Sequence, residues 1–297
     1  MFVFQDNFWL NLHQFLRGEV YRRSVRATPG LDAGLLPEAD GSVWTRAVDS
    51  YVDVARHDVL FDDLSRKIGN ALALVGDVQG LPESLDGVIG TSTRVALNSA
   101  APIYRTQVWP ARRRGNEAWI ASAKALLAQH ETTMAAALAQ IYAVDWPRDP
   151  ILVDVVPEVG PNSAITHTGP PGFAAHTQAS AGSLRNTGDA PLELLFHEAT
   201  HTARLEGHIQ GMIREECTRQ KLPVPENLWH AIIMFTSGAL ARQELAKSGN
   251  REYVPYAYRY NPYTPVERSA LEKDWEPYLE GKTSREKALH DLVRDVR

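Results

Sequence analysis

Apolar residues recur at helical spacing near the start of the chain. Within residues 7–23 this spacing predicts a helix with one apolar face, formed by Phe8, Leu12, Phe15 and Leu16. The glycines and prolines that come next predict a loop, at Pro29, Gly30, Gly34 and Pro37. An amphipathic helix followed by a loop is therefore expected.

The helical pattern continues beyond this loop. Residues 43–76 predict one or two helices. Residues 116–130 and 132–146 are rich in alanine, the residue with the strongest helix propensity. Residues 1–146 are therefore expected to form a helical N-terminal region.

The pattern changes at Pro147. Residues 151–156 read ILVDVV, a short β-branched run, and residues 163–168 and 172–180 are two further strand candidates between glycines and prolines. Helices resume near Asp189. Helices, a small sheet and more helices form an α+β pattern. Residues 147–297 are expected to form a second region, or one continuous domain with the first.

Composition and charge narrow the classes of partner. The chain has 297 residues, 44% of them hydrophobic, and a formal net charge of −5, so nucleic acid is not an expected partner. The densest basic run, residues 111–115, is expected to be a solvated loop. Cys217 is the single cysteine, so no intrachain disulfide can form. The sequence has no apolar run long enough for a transmembrane segment.

The first residues do not have the pattern of a signal peptide. They are apolar but lack a positive start, a long apolar run and a small-residue cleavage site. A cytoplasmic location is the default expectation, and a trimmed exported form stays open.

The sequence HEATH at residues 197–201 has the strongest chemical pattern in the chain. His197 and His201 lie four residues apart, so on a helix their rings leave the same face with a rise of about 6 Å between them. Two such imidazoles can direct nitrogens at one cation, each about 2.0 to 2.1 Å from zinc. Glu198 is rotated by about 100° from His197. It would therefore flank the cation and can accept a proton from a water that the cation activates.

The residues before HEATH favour a buried helix. Asp189 is predicted as the N-cap, and Pro191 suits the first helical turn. The competing interpretation is a pair of surface histidines on an amphipathic helix. The apolar run LELLF at residues 192–196 disfavours that interpretation.

In this setting HEATH resembles the active-site sequence of the zincin metallopeptidases. The resemblance implies that His197 and His201 bind Zn²⁺ and that Glu198 is the general base. It also implies a zincin-like catalytic core over residues 147–297, with a small sheet before the motif helix and a second helix after it. It implies nothing about residues 1–145.

A catalytic zinc usually takes three protein ligands and one water, so a third ligand must be found. His208 would lie about 16 Å along a continuous helix from His197, which is too far for coordination. Metzincins turn the chain at a glycine in this region, but Arg204 stands at that position. His208 is therefore an unfavoured candidate.

His230 is the predicted third ligand. It lies in a helix predicted over residues 225–246, on a face whose small residues allow close approach of another helix, namely Ser237, Gly238 and Ala241. The resemblance to gluzincins, in which a second helix supplies a glutamate, makes Glu226 the alternative. A third interpretation is that His230 is a hydrogen-bonded core histidine.

Five tyrosines follow this helix, at positions 253, 256, 258, 260 and 263. Attack on an amide develops charge on its oxygen, and a neutral tyrosine can donate to that oxygen. Tyr256 and Tyr258 are the first candidates for this catalytic role. The alternative is that the rings only pack a coil segment against the body of the protein.

Residues 172–180 are expected to form a strand beside the cleft, where a peptide could add as a further strand. His176 in this segment is either catalytic or structural, and the structural role is favoured. Together these patterns predict a zinc metallopeptidase acting on a peptide or protein substrate. The alternatives are a metal-dependent amidase with a non-peptide substrate and a non-catalytic binding protein with a vestigial metal site.

Overall fold

The computed structural model describes residues 1–25, 38–60, 62–160 and 163–297. The loop predicted between Pro29 and Pro37 lies outside the described residues. The strands are β1 (Phe2–Gln5), β2 (Ile151–Val156), β3 (Ala164–Thr168) and β4 (Ala175–Ser180). The helices before β2 are α1 (Phe8–Val25), α2 (Glu38–Ser50), α3 (Val52–Arg56), α4 (Asp63–Ala73), α5 (Asp86–Ile89), α6 (Thr91–Gln107) and α7 (Trp109–Tyr142).

The helices after the sheet are α8 (Ala190–Thr200), α9 (Ala203–Gln220), α10 (Leu228–Lys247), α11 (Tyr256–Tyr260), α12 (Pro265–Ala270), α13 (Glu276–Leu279) and α14 (Arg285–Asp295). Short 3₁₀ turns lie at Glu83–Leu85 and Leu184–Asn186, and one π-helical turn lies at Leu271–Trp275. Over the described residues the protein is mostly helical with a small mixed sheet, which confirms the α+β class. None of the helices in the described ranges is long and apolar enough to cross a membrane.

The sheet has the strand order β1-β2-β4-β3. β1, β2 and β4 are parallel, with Phe2 opposite Ile151 and Val156 opposite Ser180, and β3 runs antiparallel to β4. Every residue of β2 and β4 is buried, as is typical of parallel strands covered on both faces. The three predicted strands are confirmed, whereas β1 was not predicted.

The position of β4 corrects one expectation. β4 contains most of the segment proposed as a free edge for a peptide strand, but it lies between β2 and β3 and is paired on both sides. Its backbone hydrogen bonds are therefore already used within the sheet. A peptide cannot add to this strand without displacing a neighbour.

The chain forms two compact units. Unit 1 contains residues 1–122 and 149–186, and unit 2 contains residues 123–148 and 187–297. This division differs from the expected regions 1–146 and 147–297, because the sheet belongs with the N-terminal helices. The two alanine-rich segments form one helix, α7, whose residues are shared between the units.

Unit 1 has an aromatic core. The predicted apolar face of α1 is confirmed, since its four members are all buried, namely Phe8, Leu12, Phe15 and Leu16. The ring of Tyr104 from α6 packs on Phe8 and Phe15, with centroids 5.7 and 5.2 Å away. The basic run 111–115 is solvated as expected but is helical, because it lies in the first turns of α7.

His176 has a structural position in unit 1. Its ring is fully buried, with Nε2 2.8 Å from Asp154 Oδ2 and Nδ1 2.9 Å from Asn70 Oδ1. The Asn70 amide nitrogen donates to the carbonyl of Thr168, which fixes the amide orientation. Nδ1 of His176 must therefore be the donor to Asn70, and both ring nitrogens are used inside the core.

Unit 2 is built around the packing of α8 against α10. Leu192, Leu195 and Phe196 of α8 are buried, and Ile232 and Ile233 of α10 are buried as well. Later elements make hydrogen bonds to α10 and to α7 within the unit. The Trp275 indole of the π-helical turn donates to Thr236 Oγ1 of α10 at 2.9 Å, and the Tyr278 hydroxyl of α13 donates to the carbonyl of Ile141 of α7 at 2.7 Å.

Candidate metal centre

Helix α8 begins just after Asp189 and ends at Thr200. Asp189 occupies the predicted N-cap position, but its carboxylate accepts from Asn250 instead of capping the helix. Pro191 lies in the first turn as expected. At the other end, Thr200 Oγ1 donates to the carbonyl of Phe196 at 2.8 Å. This back-bond competes with regular helix geometry, and α8 ends at Thr200 with His201 as its C-cap.

Helix α10 presents His230 in its first turn. The helix begins at Leu228, slightly later than expected. The small residues predicted to permit close approach are all buried, namely Ser237, Gly238 and Ala241. A Cβ atom at Gly238 would lie only 2.8 Å from Glu193 Oε1 of α8. The absence of a side chain at Gly238 therefore permits the packing of α10 against α8.

The two helices bring three histidines together. The nitrogens of His197, His201 and His230 that could act as ligands lie within 4.8 Å of one another. Nε2 of His197 and Nε2 of His201 are 3.4 Å apart. Two nitrogens bound to one tetrahedral zinc lie about 3.3 Å apart, since each bond is about 2.0 to 2.1 Å. His197 and His201 thus have the nitrogen spacing of two ligands to one zinc ion, and His230 of α10 is the third member of the group.

Burial keeps two of these rings uncharged at neutral pH. The pKa of His197 lies well below its ordinary value, because the ring is removed from water and lies near His201 and His230. Burial lowers the pKa of His230 to about 4, with His201 adding to the effect and Glu206 opposing it. A neutral imidazole has a free lone pair. These rings are therefore in the protonation state that a metal requires.

A metal is not the only explanation of the 3.4 Å approach. If Nε2 of His197 holds a hydrogen, it can donate to Nε2 of His201. Nδ1 of His197 is buried and has no hydrogen-bond partner in the part of the chain that the structure describes. The two explanations differ in what added zinc does, and metal analysis separates them.

His197, His201 and His230 are called the histidine triad below. Two carboxylates lie close to this triad along the chain. Glu198, the predicted base, is buried on α8 with 6% of its surface exposed. Glu206, which the sequence analysis missed, lies in the first turn of α9 with Oε2 3.0 Å from Nδ1 of His201. A signal for it was present: Thr200 and Thr202 flank His201, and β-branched threonines are poor helix formers that permit a break. The ring of Trp229 also packs edge-on against His201 at 5.6 Å, and this contact was not predicted either.

The two other proposed third ligands lie elsewhere. Nε2 of His208 is 2.9 Å from the carbonyl of Tyr142, so it donates a hydrogen bond to that oxygen. Glu226 is exposed and precedes the first residue of α10. His230, and neither His208 nor Glu226, joins His197 and His201 in the group.

The two candidate tyrosines have different surroundings. Tyr258 packs on Phe235 at 6.2 Å and lies beneath the guanidinium of Arg268 at 4.7 Å. Burial, with Glu276 and Glu272 nearby, raises the pKa of Tyr258 to about 12. Phe235 is five residues beyond His230, which turns it about 140° away around α10. Tyr258 therefore packs on a different face of α10 from His230.

Tyr256 is connected to α8 through its backbone. Its N–H donates to both oxygens of Glu193 at 3.1 and 3.0 Å, and its ring packs on Tyr260 at 4.7 Å. Glu193 also accepts from the hydroxyl of Tyr253 at 2.7 Å. Glu193 lies one turn before His197 on α8. The segment that contains the five tyrosines, residues 253–263, is called the tyrosine segment, and it is therefore attached to the helix that contains His197 and ends next to His201. The catalytic role of Tyr256 and Tyr258 stays a prediction.

Comparison of this chain with protein-family models, with curated proteins and with solved structures finds no match. The chemistry of the triad is therefore argued from its residues alone.

Proposed function

We propose that this protein is a zinc-dependent hydrolase that cleaves peptide bonds, with His197, His201 and His230 as the zinc ligands. One observation supports the proposal above others: three imidazoles from two helices bring their nitrogens within 4.8 Å of one another. Imidazole is a preferred zinc ligand. Three protein ligands with a fourth position left for water are the ligand set of a catalytic zinc, whereas structural sites use four protein ligands.

Zinc, when bound, supplies a Lewis acid that acidifies a water and polarises a carbonyl. Glu198 directly follows His197 on α8, and its carboxylate is the proposed general base. It accepts a proton from the attacking water and passes that proton to the leaving amine. A C–O bond forms, the amide C–N bond breaks, and the products are a carboxylic acid and an amine. Tyr256 is the proposed donor to the oxygen that develops charge. Tyr258 was the other candidate, but its ring packs on a different face of α10 from His230.

Metal analysis of untagged protein tests the ligand set. We expect one zinc per chain in the parent and severe loss of zinc in His197→Ala, His201→Ala and His230→Ala. His208→Ala is the matched control, since it removes a histidine that bonds to a backbone carbonyl, and it should keep its zinc. A parent protein that holds no transition metal and takes up none on addition of zinc would refute the proposal.

Peptide-library cleavage by the zinc-loaded protein tests the reaction. Glu198→Gln should keep its zinc and lose about 10²–10⁴-fold in turnover, because the base is removed and the ligands stay. Zinc uptake with cleavage of simple amides but no peptides would indicate the amidase alternative. Zinc uptake with no hydrolysis of either class would indicate the non-catalytic binding protein.

A further inference from the structure

Glu206 touches the nitrogen of His201 that points away from the other histidines. Its Oε2 is 3.0 Å from Nδ1, whereas Nε2 of the same ring is 3.4 Å from Nε2 of His197. An ionised carboxylate can only accept a hydrogen bond. Nδ1 of His201 must then hold the hydrogen, and in the neutral ring the lone pair is on Nε2, which faces His197.

This contact depends on the interruption between α8 and α9. In a continuous helix, a residue five positions after His201 would be turned by about 140° and would point away from it. Here α8 ends at Thr200, and Thr202 is extended with φ −58° and ψ 138° before α9 begins at Ala203. The interruption brings the first turn of α9 back towards the His201 ring.

The second oxygen of Glu206 is also held. Nε2 of Gln210, one turn further along α9, donates to Oε1 at 2.9 Å. The first turn of a helix favours a negative charge through the helix dipole. Glu206 is therefore oriented by its own helix, with one oxygen bound to Gln210 and the other to His201.

Resting on the zinc site proposed above, we infer that Glu206 is a positioning residue that selects Nε2 of His201 as its zinc-binding atom. A carboxylate on the outer nitrogen of a ligating histidine fixes the tautomer and raises the basicity of the ring. Of His197 and His201, only His201 has such an outer partner among the described residues, since Nδ1 of His197 has none. The interruption between α8 and α9 thus places a carboxylate that orients the His201 ring and adds negative charge beside it.

The test compares Glu206→Ala and Glu206→Gln with the parent. Glu206→Ala should weaken zinc binding about 10–100-fold in a chelator competition. Glu206→Gln keeps an oxygen that can accept from Nδ1 but removes the charge, so it should lose less affinity. Glu215→Ala removes an exposed glutamate from the same helix and should bind zinc like the parent. Circular dichroism checks that each variant is folded.

A second readout does not depend on zinc or on activity. In the metal-free protein, ¹⁵N NMR of the His201 ring should show hydrogen on Nδ1 in the parent and in Glu206→Gln, and should show a loss of that preference in Glu206→Ala. Parent-like zinc affinity and an unchanged tautomer in Glu206→Ala would overturn the inference while leaving the zinc site intact. Failure of the parent itself to bind zinc would instead overturn the proposed function, and this inference with it.

Discussion

Glu193 is a carboxyl group whose burial disfavours its charged form. Only 3% of its surface is exposed, and burial raises its pKa to about 7, against the opposing effects of the Tyr253 hydroxyl, the Tyr256 N–H and Arg259. Its hydrogen bonds attach the tyrosine segment to α8. A change in its protonation therefore acts where that segment meets the helix of the triad.

Glu193→Gln should remove a pH dependence of stability. Because the pKa is raised in the folded state from an ordinary value of 4.5, the folded protein binds more protons between pH 4.5 and 7 than the unfolded chain does. The contribution of Glu193 to the free energy of unfolding therefore falls as pH rises through this window, by up to about 3 kcal/mol. Urea unfolding of both proteins at pH 4.5 and pH 8 measures the change.

The parent should lose stability relative to Glu193→Gln as pH rises. Glu226→Gln, which removes one negative charge from the exposed segment before α10, controls for the loss of net charge. An equal stability difference between the parent and Glu193→Gln at both pH values would contradict the raised pKa.

The packing of α8 against α10 depends on one residue without a side chain. Gly238 faces Glu193 and Pro255, and a Cβ there would lie 2.8 Å from Glu193 Oε1 and 2.8 Å from Pro255 Cβ. Neither the buried carboxyl nor the proline ring is a free surface chain that can move aside. The distance between the two helices is therefore set where Gly238 of α10 meets Glu193, which lies one turn before His197 on α8.

Gly238→Ala should destabilise the protein by about 1–3 kcal/mol, because overpacking forces neighbouring groups to shift. The matched control is Gly211→Ala in α9, where the nearest atom to a new Cβ is the end of Arg214 at 3.9 Å. That control should be neutral or stabilising by up to about 1 kcal/mol, since alanine favours a helix. Thermal or urea unfolding of the two variants decides, and a Gly238→Ala protein as stable as the control would contradict the packing argument.

Local patterns explain which elements and site residues could be predicted. The spacing of His197 and His201 is a property of one helix, and the small residues beyond His230 are a property of another, so both were visible in the sequence. Glu206 was missed because its contact depends on the end of α8 at Thr200, which turns the following residues back. β1 was missed because a strand of four residues is recognised only by its pairing with β2, far along the chain.

The division of the chain into units could not be predicted from composition. The change from helical to strand-like patterns at Pro147 coincides with the return of the chain to unit 1. Residues 187–297 then join residues 123–148 in unit 2. Such interleaving depends on long-range contacts, which a local pattern does not contain. The α+β class was predictable, since it follows from the order of elements alone.

A fragment of residues 147–297 should therefore fail to fold as a cooperative domain. It lacks β1, the partner of β2, and it lacks Tyr142 and Ile141 of α7, whose carbonyls accept from His208 and from the Tyr278 hydroxyl. Circular dichroism, thermal melting and NMR dispersion, with the full chain as control, measure this. A fragment with a sharp melting transition and dispersed spectra would contradict the prediction.

The route of the chain through its two units also sets an order of events during synthesis. Every residue of unit 1 precedes residue 187, so all of unit 1 is translated before residues 187–297 of unit 2. Domains fold as units while the chain is being made, so unit 1 can fold while residues 123–148 still lack their partners. His197, His201 and His230 all follow residue 186 in the chain, so they are translated after the last residue of unit 1. Under the proposed function, zinc loading is therefore a late step of maturation, which can take place on a chain whose first unit has folded.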